Sequence, residues 1–468
     1  MTTVLKAGGS SLTDEEKIQE ILKQARGLDD RIVLTASAQG DTTERIIKAI
    51  DDGKAGKKIP PPEDIFQEFE GLNILGRDYY RATGIRDSVY RTFQDIPTNI
   101  ERRQQALNSP PFTAKLHLGG ERLSALAVYI IAKESGYDAS LIDLTYSGFP
   151  LAVSGDYHGA KVDLDESRAR CQRVLRETPK GAMIILPGYG GLDAITHEEK
   201  TGGRGASDTV AFGYLYGFQG DRLLILTNVH GILNANVKGG ETVPIMDIDE
   251  AKDAGSLGAK LPGRRALVGL EKYYEEGGNP EVYITHSQNF DGPKTRIVKA
   301  TEEKVPVKLV AGRDVDVYTF EGDVRGLQNV LDGSGVDWSS FATDGLMCVA
   351  VSQETVPYAE RLFTKLNGTK EGNGFKMTKE SGLASVGVVG SGMRGQHKVA
   401  GMVATTLGRK GVNIAYNMDP GKVSLGYIID GRDSPMAIEA LYGKFFRKKL
   451  AERTYARVRQ ILGAHNSY

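Results

Sequence analysis

The stretch Thr3-Val4-Leu5-Lys6-Ala7-Gly8-Gly9-Ser10-Ser11 decides how this chain is read. Residues of strand character run into two glycines, and beyond them Ile18, Ile21, Leu22, Ala25 and Leu28 recur at the spacing of one helix face. Thr13, with Glu16 three residues on, is the expected cap of that helix. Strand, glycine loop and amphipathic helix make half of a βαβ unit. At such a junction free backbone N–H groups and the helix dipole favour an anion such as phosphate, and Lys6 sets a full positive charge beside it. A pair of glycines after a strand is equally an ordinary tight turn, so the rest of the chain has to decide.

Short apolar runs recur at 32–34, 182–186, 222–226 and 281–284, with helix-like segments such as 123–132 and 209–216 between them. That alternation predicts an α/β fold with a mostly parallel sheet. Residues 51–115 break the rhythm, opening with a Gly, Lys and Pro-rich stretch and continuing in polar helical patterns, and are expected to form a helical insertion. Past residue 300 the texture changes to two blocks, 301–384 and 385–468, each the size of a βαββαβ unit and suited to ligand binding or dimerisation. The expected domains are therefore 1–300 and these two modules.

The 468 residues carry 59 basic and 60 acidic side chains, with 40% hydrophobic residues, which describes an ordinary globular protein. So balanced a charge gives no long-range attraction to nucleic acid or acidic membranes. Cys171 and Cys348 match no zinc or disulfide spacing and are expected to be core fillers in a reducing, cytoplasmic setting. The longest nearly apolar run, 123–132, is about half a membrane span, and Met1 leads directly into a candidate strand, so neither a membrane segment nor export is expected. The seven histidines are scattered singly, and no metal site built by the protein itself is expected.

Two further glycine-rich segments carry charge. Thr201-Gly202-Gly203-Arg204-Gly205-Ala206-Ser207-Asp208 opens a helix: Arg204 could hold a carboxylate bidentately and Asp208 could orient lysines around a phosphoryl group, or the segment is a surface loop with Asp208 as a cap. Gly119-Gly120-Glu121-Arg122-Leu123-Ser124 places a carboxylate at what reads as a helix start, either as a favourable N-terminal charge or as a partner for an ammonium group.

Together with Ser37-Ala38-Gln39-Gly40-Asp41-Thr42-Thr43 and Gly258-Ala259-Lys260, these motifs fall in the order found in aspartate kinases, and the whole chain resembles that family. The resemblance implies an amino-acid-kinase-type αβα sandwich followed by two ferredoxin-like ACT modules. It implies an ATP and Mg²⁺-dependent transfer of a phosphoryl group to the side-chain carboxylate of L-aspartate, a reaction of lysine, threonine and methionine biosynthesis. Carried over by position, Lys6, Asp208 and Lys260 would be catalytic, and Ser37, Thr43, Glu121, Arg204 and Ser207 would contact the amino acid. The nucleotide would meet Lys6, Gly8, Gly9, Ser10, Thr227, Asn228, Leu233, Lys238 and Lys260. Met393 and Asn413 would belong to an allosteric effector site, and the ACT modules would join two copies in a homodimer. No nucleic acid or membrane partner is implied. Where the family shows Thr-Asp-Val-x-Gly-x-Tyr and then Arg, this chain has Thr227-Asn228-Val229-His230-Gly231-Ile232-Leu233 and then Lys238.

Two alternatives stand beside that reading. A same-fold enzyme acting on another small amino acid would keep the polar residues and change the substrate. A non-catalytic amino-acid sensor would keep the ACT modules and lose MgATP binding. A dinucleotide fold is suggested only by Gly390-Ser391-Gly392-Met393-Arg394-Gly395, after which about 75 residues remain, too few for a complete domain of that kind.

Overall fold

The computed structural model describes residues 1–447 apart from 29–30, 73, 75–83, 204, 260, 264, 323, 325–326, 333–335, 337, 344–345, 368–374, 394–395, 397 and 419–420. The chain divides into two compact units, one of Met1–Gly231, Pro262–Lys299 and Gly326–Val336, the other of Ile232–Leu261, Ala300–Arg325 and Asp337–Tyr468.

In the first unit the strands Thr2–Ala7 (β1), Arg31–Ala36 (β2), Ala139–Leu141 (β3), Met183–Pro187 (β4), Arg222–Thr227 (β5), Glu281–His286 (β6) and Thr295–Val298 (β7) lie side by side in the order β7-β6-β5-β1-β2-β4-β3. All neighbours are parallel except β6 and β7. The runs Val4-Leu5, Val33-Leu34 and Leu223-Leu224-Ile225-Leu226 are buried without alternation, the mark of a parallel sheet covered on both faces. One cover joins the helices Glu15–Arg26 (α1), Thr42–Lys54 (α2) and Pro110–Glu134 (α3); the other joins Ala206–Gly217 (α4) to the helices Leu164–Glu177 and Val268–Glu275. Between residues 51 and 115 the described chain is helical at Pro62–Ile65, Gln67–Gly71, Ile85–Gln94 and Ile100–Leu107.

The first helix departs from expectation at its start. Its cap is Asp14, whose carboxylate accepts the Lys17 N–H at 2.9 Å, while Thr13 Oγ1 accepts from Lys17 Nζ at 2.7 Å. Either side chain fits the capping role, and the ionised oxygen one residue later makes the stronger bond to the helix amide. The expected start of a helix at Glu121 is also corrected. Gly119 and Gly120 lie inside the 25-residue helix α3, which begins at Pro110.

The second unit holds a six-stranded antiparallel sheet from Leu309–Glu321 (β8), Trp338–Thr343 (β9), Leu346–Ser352 (β10), Lys376–Val389 (β11), Ile414–Met418 (β12) and Ser424–Asp430 (β13), in the order β9-β10-β8-β11-β13-β12. The expected module boundary at 384/385 falls within β11, which pairs with β8 along both their lengths. Helices Val399–Arg409 and Ser434–Tyr442 bury Val399, Val403, Leu407, Ala437 and Leu441 against Val386, Val388 and Ile429. The 390–395 glycine motif thus follows an antiparallel strand rather than a parallel one, which removes the dinucleotide reading; Arg394 and Gly395 lie outside the described residues.

Helix Ile248–Ser256 is bound to the strand ends of this unit by two buried carboxylates. Glu250 takes Lys308 Nζ at 2.6 Å and the Ser391 N–H at 2.8 Å, and Asp253 takes the Val423 N–H at 2.7 Å and the Ser424 hydroxyl at 2.9 Å. Cys171 and Cys348 are free and buried, as core fillers should be. Among the described residues no helix is long and apolar enough to cross a membrane.

Candidate functional site

Because β5, β1, β2 and β4 are parallel neighbours, the turns after them gather along one edge of the first unit. Carboxyl ends of parallel strands are where α/β folds bring loops and helix N-termini together around ligands. Gly8-Gly9, Ser37 to Gly40, Gly188-Tyr189 and Thr227-Asn228 all fall there. Hydrogen bonds tie the turns to one another: the Gly8 N–H donates to Leu226 O at 3.4 Å, Ser37 to Ala7 O at 3.0 Å, Gly40 to Gly9 O at 3.2 Å and Gly188 to Ala36 O at 2.9 Å.

Gly9 is dictated by this crowding, since a Cβ there would stand 2.2 Å from Ala38 O. The chain does not pass straight from Gly9 into α1, for a short 3₁₀ turn, Gly9–Ser11, comes first. Its Ser11 and Leu12 amides donate back to Gly8 and Gly9 carbonyls, and the Gly9 and Ser10 amides take part in none of these loop bonds. Lys6 Nζ sits beside Gly8, 3.8 Å from where a Cβ would be, and 3.0 Å from Asp208 Oδ1. This is a close ion pair without the alignment of a hydrogen bond, for Asp208 Oδ1 counts among the buried atoms lacking a hydrogen-bond partner.

Helix α4 brings Ser207 and Asp208 in its first turn. Ser207 Oγ and Thr35 Oγ1 stand at the same 3.4 Å from the place a Gly188 Cβ would occupy, so a hydroxyl from the first turn of α4 and one from β2 face the same spot. Helix α3 approaches from the β2 side. A Cβ on Gly120 would lie 2.8 Å from that of Ala38 and 3.1 Å from Thr42 Cγ2, so the helix meets the Ser37 to Thr43 segment backbone against side chain.

The next residue, Glu121, is only 2% exposed. Burial pushes its carboxyl up to about 8, against the lowering effect of N–H bonds from its own backbone and from Ala38, with Glu44 raising it and Lys6 lowering it. Its Oε2 and the Ser37 Oγ are buried with no protein hydrogen bond. Buried polar atoms left unmatched cost stability, and in a native fold such a group needs a reason such as a ligand that completes it.

The structure therefore brings Lys6, Gly8, Gly9, Ser37, Glu121, Ser207 and Asp208 to one edge, with half-buried Thr43 at the start of α2 and Thr227-Asn228 at the end of β5. Ser10 is exposed on the 3₁₀ turn. Arg204 and Lys260 lie outside the described residues. Half-buried Leu233 and exposed Lys238 belong to the second unit, as do half-buried Met393 and exposed Asn413, which flank helix Val399–Arg409. Thr35 and Gly188 escaped sequence reading, because only the β2-β4 pairing makes them neighbours. Among the described residues no group of three acidic, His or Cys side chains could hold a metal ion. Mg²⁺ commonly keeps its waters and substrate phosphates and needs only one or two protein carboxylates, and Asp208 fits that role.

Residues 1–272 match the sequence model of the amino acid kinase family. The chain is 25% identical over 340 residues to the aspartokinase of Geobacillus stearothermophilus, covering 70% of this chain and 80% of that one. It is 22% identical over 466 residues to the aspartokinase of Mycolicibacterium smegmatis, covering 94% and 95%. Among solved structures, Escherichia coli aspartokinase III in complex with aspartate and ADP (R-state) superposes with a TM-score of 0.74 at 19% identity, over 96% of this chain and all 100% of that one.

Proposed function

This chain belongs to the amino acid kinase family, and we propose that it is an aspartate kinase, transferring the γ-phosphoryl group of ATP to the side-chain carboxylate of L-aspartate to give 4-phospho-L-aspartate and ADP. The observation that carries the reading is the Lys6–Asp208 ion pair standing on the same strand edge as the buried Glu121 Oε2 and Ser37 Oγ, neither of which has a protein hydrogen bond. One half of that arrangement suits a phosphate, the other an amino acid. Relatives named aspartokinase along 94% of the chain supply the substrate.

In this mechanism the aspartate carboxylate attacks the γ-phosphorus, its new P–O bond forms as the bond to the β-phosphate oxygen breaks, and ADP leaves. No proton is transferred and no protein nucleophile is needed, so catalysis is positioning plus electrostatics. Lys6 offsets the charge of the transferring group, with Lys260 as the second proposed cation, and Asp208 holds Lys6 in place. The Gly8, Gly9 and Ser10 segment lies under the phosphates, and Thr227 and Asn228 at the nucleoside end. Glu121 receives the amino acid's ammonium group; Ser37, Thr43 and Ser207 bind its polar atoms, and Arg204 clamps a carboxylate. Mg²⁺ bound with the triphosphate supplies further neutralisation of its charge.

We also propose that residues 1–300 carry catalysis, and that 301–384 and 385–468 are ACT-type modules joining two copies and taking an amino-acid effector near Met393 and Asn413. Two substitutions test the site. Lys6→Ala should lower kcat by about a thousandfold with the fold unchanged, and retained turnover would remove Lys6 from the phosphate site. Arg204→Ala should chiefly raise the KM for aspartate; an unaltered KM would reject the clamp.

A further inference from the structure

His230 and His286 are 56 positions apart in the sequence, yet their imidazoles are stacked, with centroids 4.7 Å apart and planes inclined by 23°. His286 ends β6 and lies in register with Thr227, the last residue of β5; one step earlier on β5, Leu226 pairs with Ala7 of β1. Ala7 leads directly into Gly8-Gly9. The stack thus occupies the same edge as the glycine loop, displaced by two strand steps, about 10 Å. His230 is exposed and His286 half-buried, so the pair stands at the surface of that edge.

We propose that the stacked imidazoles of His230 and His286 form the platform on which the nucleobase of the phosphoryl donor rests, and that this pair sets the enzyme's preference among nucleoside triphosphates. This rests on the kinase reading above. The terminal phosphates lie at Lys6 and Gly8, the ribose spans the end of β5, and the base arrives over the imidazoles.

The local hydrogen bonds hold the platform still. Thr227 Oγ1 accepts the Val229 N–H at 3.2 Å and donates to Val229 O at 2.9 Å, which fixes the turn carrying His230. The Ser287 N–H donates to Thr227 O at 2.8 Å, locking the ends of β5 and β6 together. His286 Nδ1 accepts the Gln288 N–H at 3.2 Å, which leaves the ring proton on Nε2. Burial, and then the neighbouring His230, hold the His286 pKa below its ordinary 6.5, so the ring is neutral at pH 7.

The His286 ring so held has no charge to offer a phosphate, while a flat imidazole face stacks on a base, more strongly on the larger purine than on a pyrimidine. Metal binding is the other duty of paired histidines. Ring lone pairs lie in the ring planes, however, and two rings stacked face to face do not aim them at a common point.

The test uses the full-length enzyme with aspartate and Mg²⁺, comparing KM for ATP, GTP and CTP and inhibition by inorganic triphosphate in the unsubstituted protein, His230→Ala, His286→Ala and His230→Phe. Loss of the platform should raise the KM for ATP about tenfold in each Ala variant and narrow the preference for ATP over CTP, whose base has the smaller face. His230→Phe should restore it, and inhibition by inorganic triphosphate, which has no base, should not change in any variant. Unchanged KM values in both Ala variants, or an equal loss of inorganic triphosphate binding, would overturn the proposal. If the unsubstituted enzyme forms no acyl phosphate with any nucleotide, the kinase reading falls and the platform with it.

Discussion

At Glu121 a carboxyl group with an ordinary value of 4.5 is pushed up to about 8 by burial, and one of its oxygens has no protein partner. In the ligand-free protein the folded chain keeps a proton there that the unfolded chain has lost. The group's contribution to folding is therefore fully present below about 4.5 and is lost as pH rises toward 8. Glu121→Gln should remove that slope, so that its denaturation midpoint gains on the unsubstituted protein between pH 5 and pH 8; parallel profiles would contradict the assignment. The same carboxyl should ionise when an ammonium group arrives. Aspartate binding at pH 7 should then release a proton, seen as a buffer-dependent heat in calorimetry that Glu121→Gln abolishes. Lys6 and Asp208 were legible as candidates because each stands at a glycine-rich turn next to a helix start, while Ser37 came only from the family resemblance. The unmatched state of Glu121 was not legible, since it depends on Ala38 closing over it from another element.

Helix α3 shows how sequence signals mislead at the scale of an element. Two consecutive glycines normally punctuate a chain, and Gly119-Gly120 reads as a helix start, yet both lie in mid-helix because neighbouring segments approach too closely for side chains. The two are not equivalent. A Cβ on Gly119 would meet Val89 Cγ1 at 3.0 Å, a methyl that can rotate away, whereas one on Gly120 would meet the Ala38 Cβ at 2.8 Å, which is fixed to a backbone bound at both ends. Replacing glycine by alanine inside a helix gains about 1 kcal/mol, and overpacking costs about 1–3 kcal/mol. Gly119→Ala should accordingly stay within about 1 kcal/mol of the parent, while Gly120→Ala should be net destabilising and raise the KM for aspartate by displacing Ser37. Urea denaturation and steady-state kinetics on the pair read both. The parallel strands were legible from their unbroken apolar runs, but the β5-β6 pairing that unites His230 with His286 was not, since no local pattern encodes which strands become neighbours.

Across the whole molecule, the change of texture near residue 300 was visible in the sequence, while the grouping of 232–261 with the later residues was not. That grouping follows from side chains that look like ordinary helix-surface carboxylates. Glu250 is 0% and Lys308 8% exposed, and removing one member of so buried a pair leaves the other charge uncompensated. Glu250→Ala should cost about 3–5 kcal/mol in thermal or urea denaturation, and the double substitution Glu250→Leu with Lys308→Met should cost less than the two singles summed. The catalytic assignment is tested most directly by incubating the protein with MgATP and L-aspartate and trapping acyl phosphate as the hydroxamate, with L-glutamate in parallel. A hydroxamate signal that requires both ATP and aspartate, exceeds that with glutamate and is lost in Lys6→Ala is the expected result. A folded protein that binds aspartate but yields no hydroxamate with any nucleotide would contradict it.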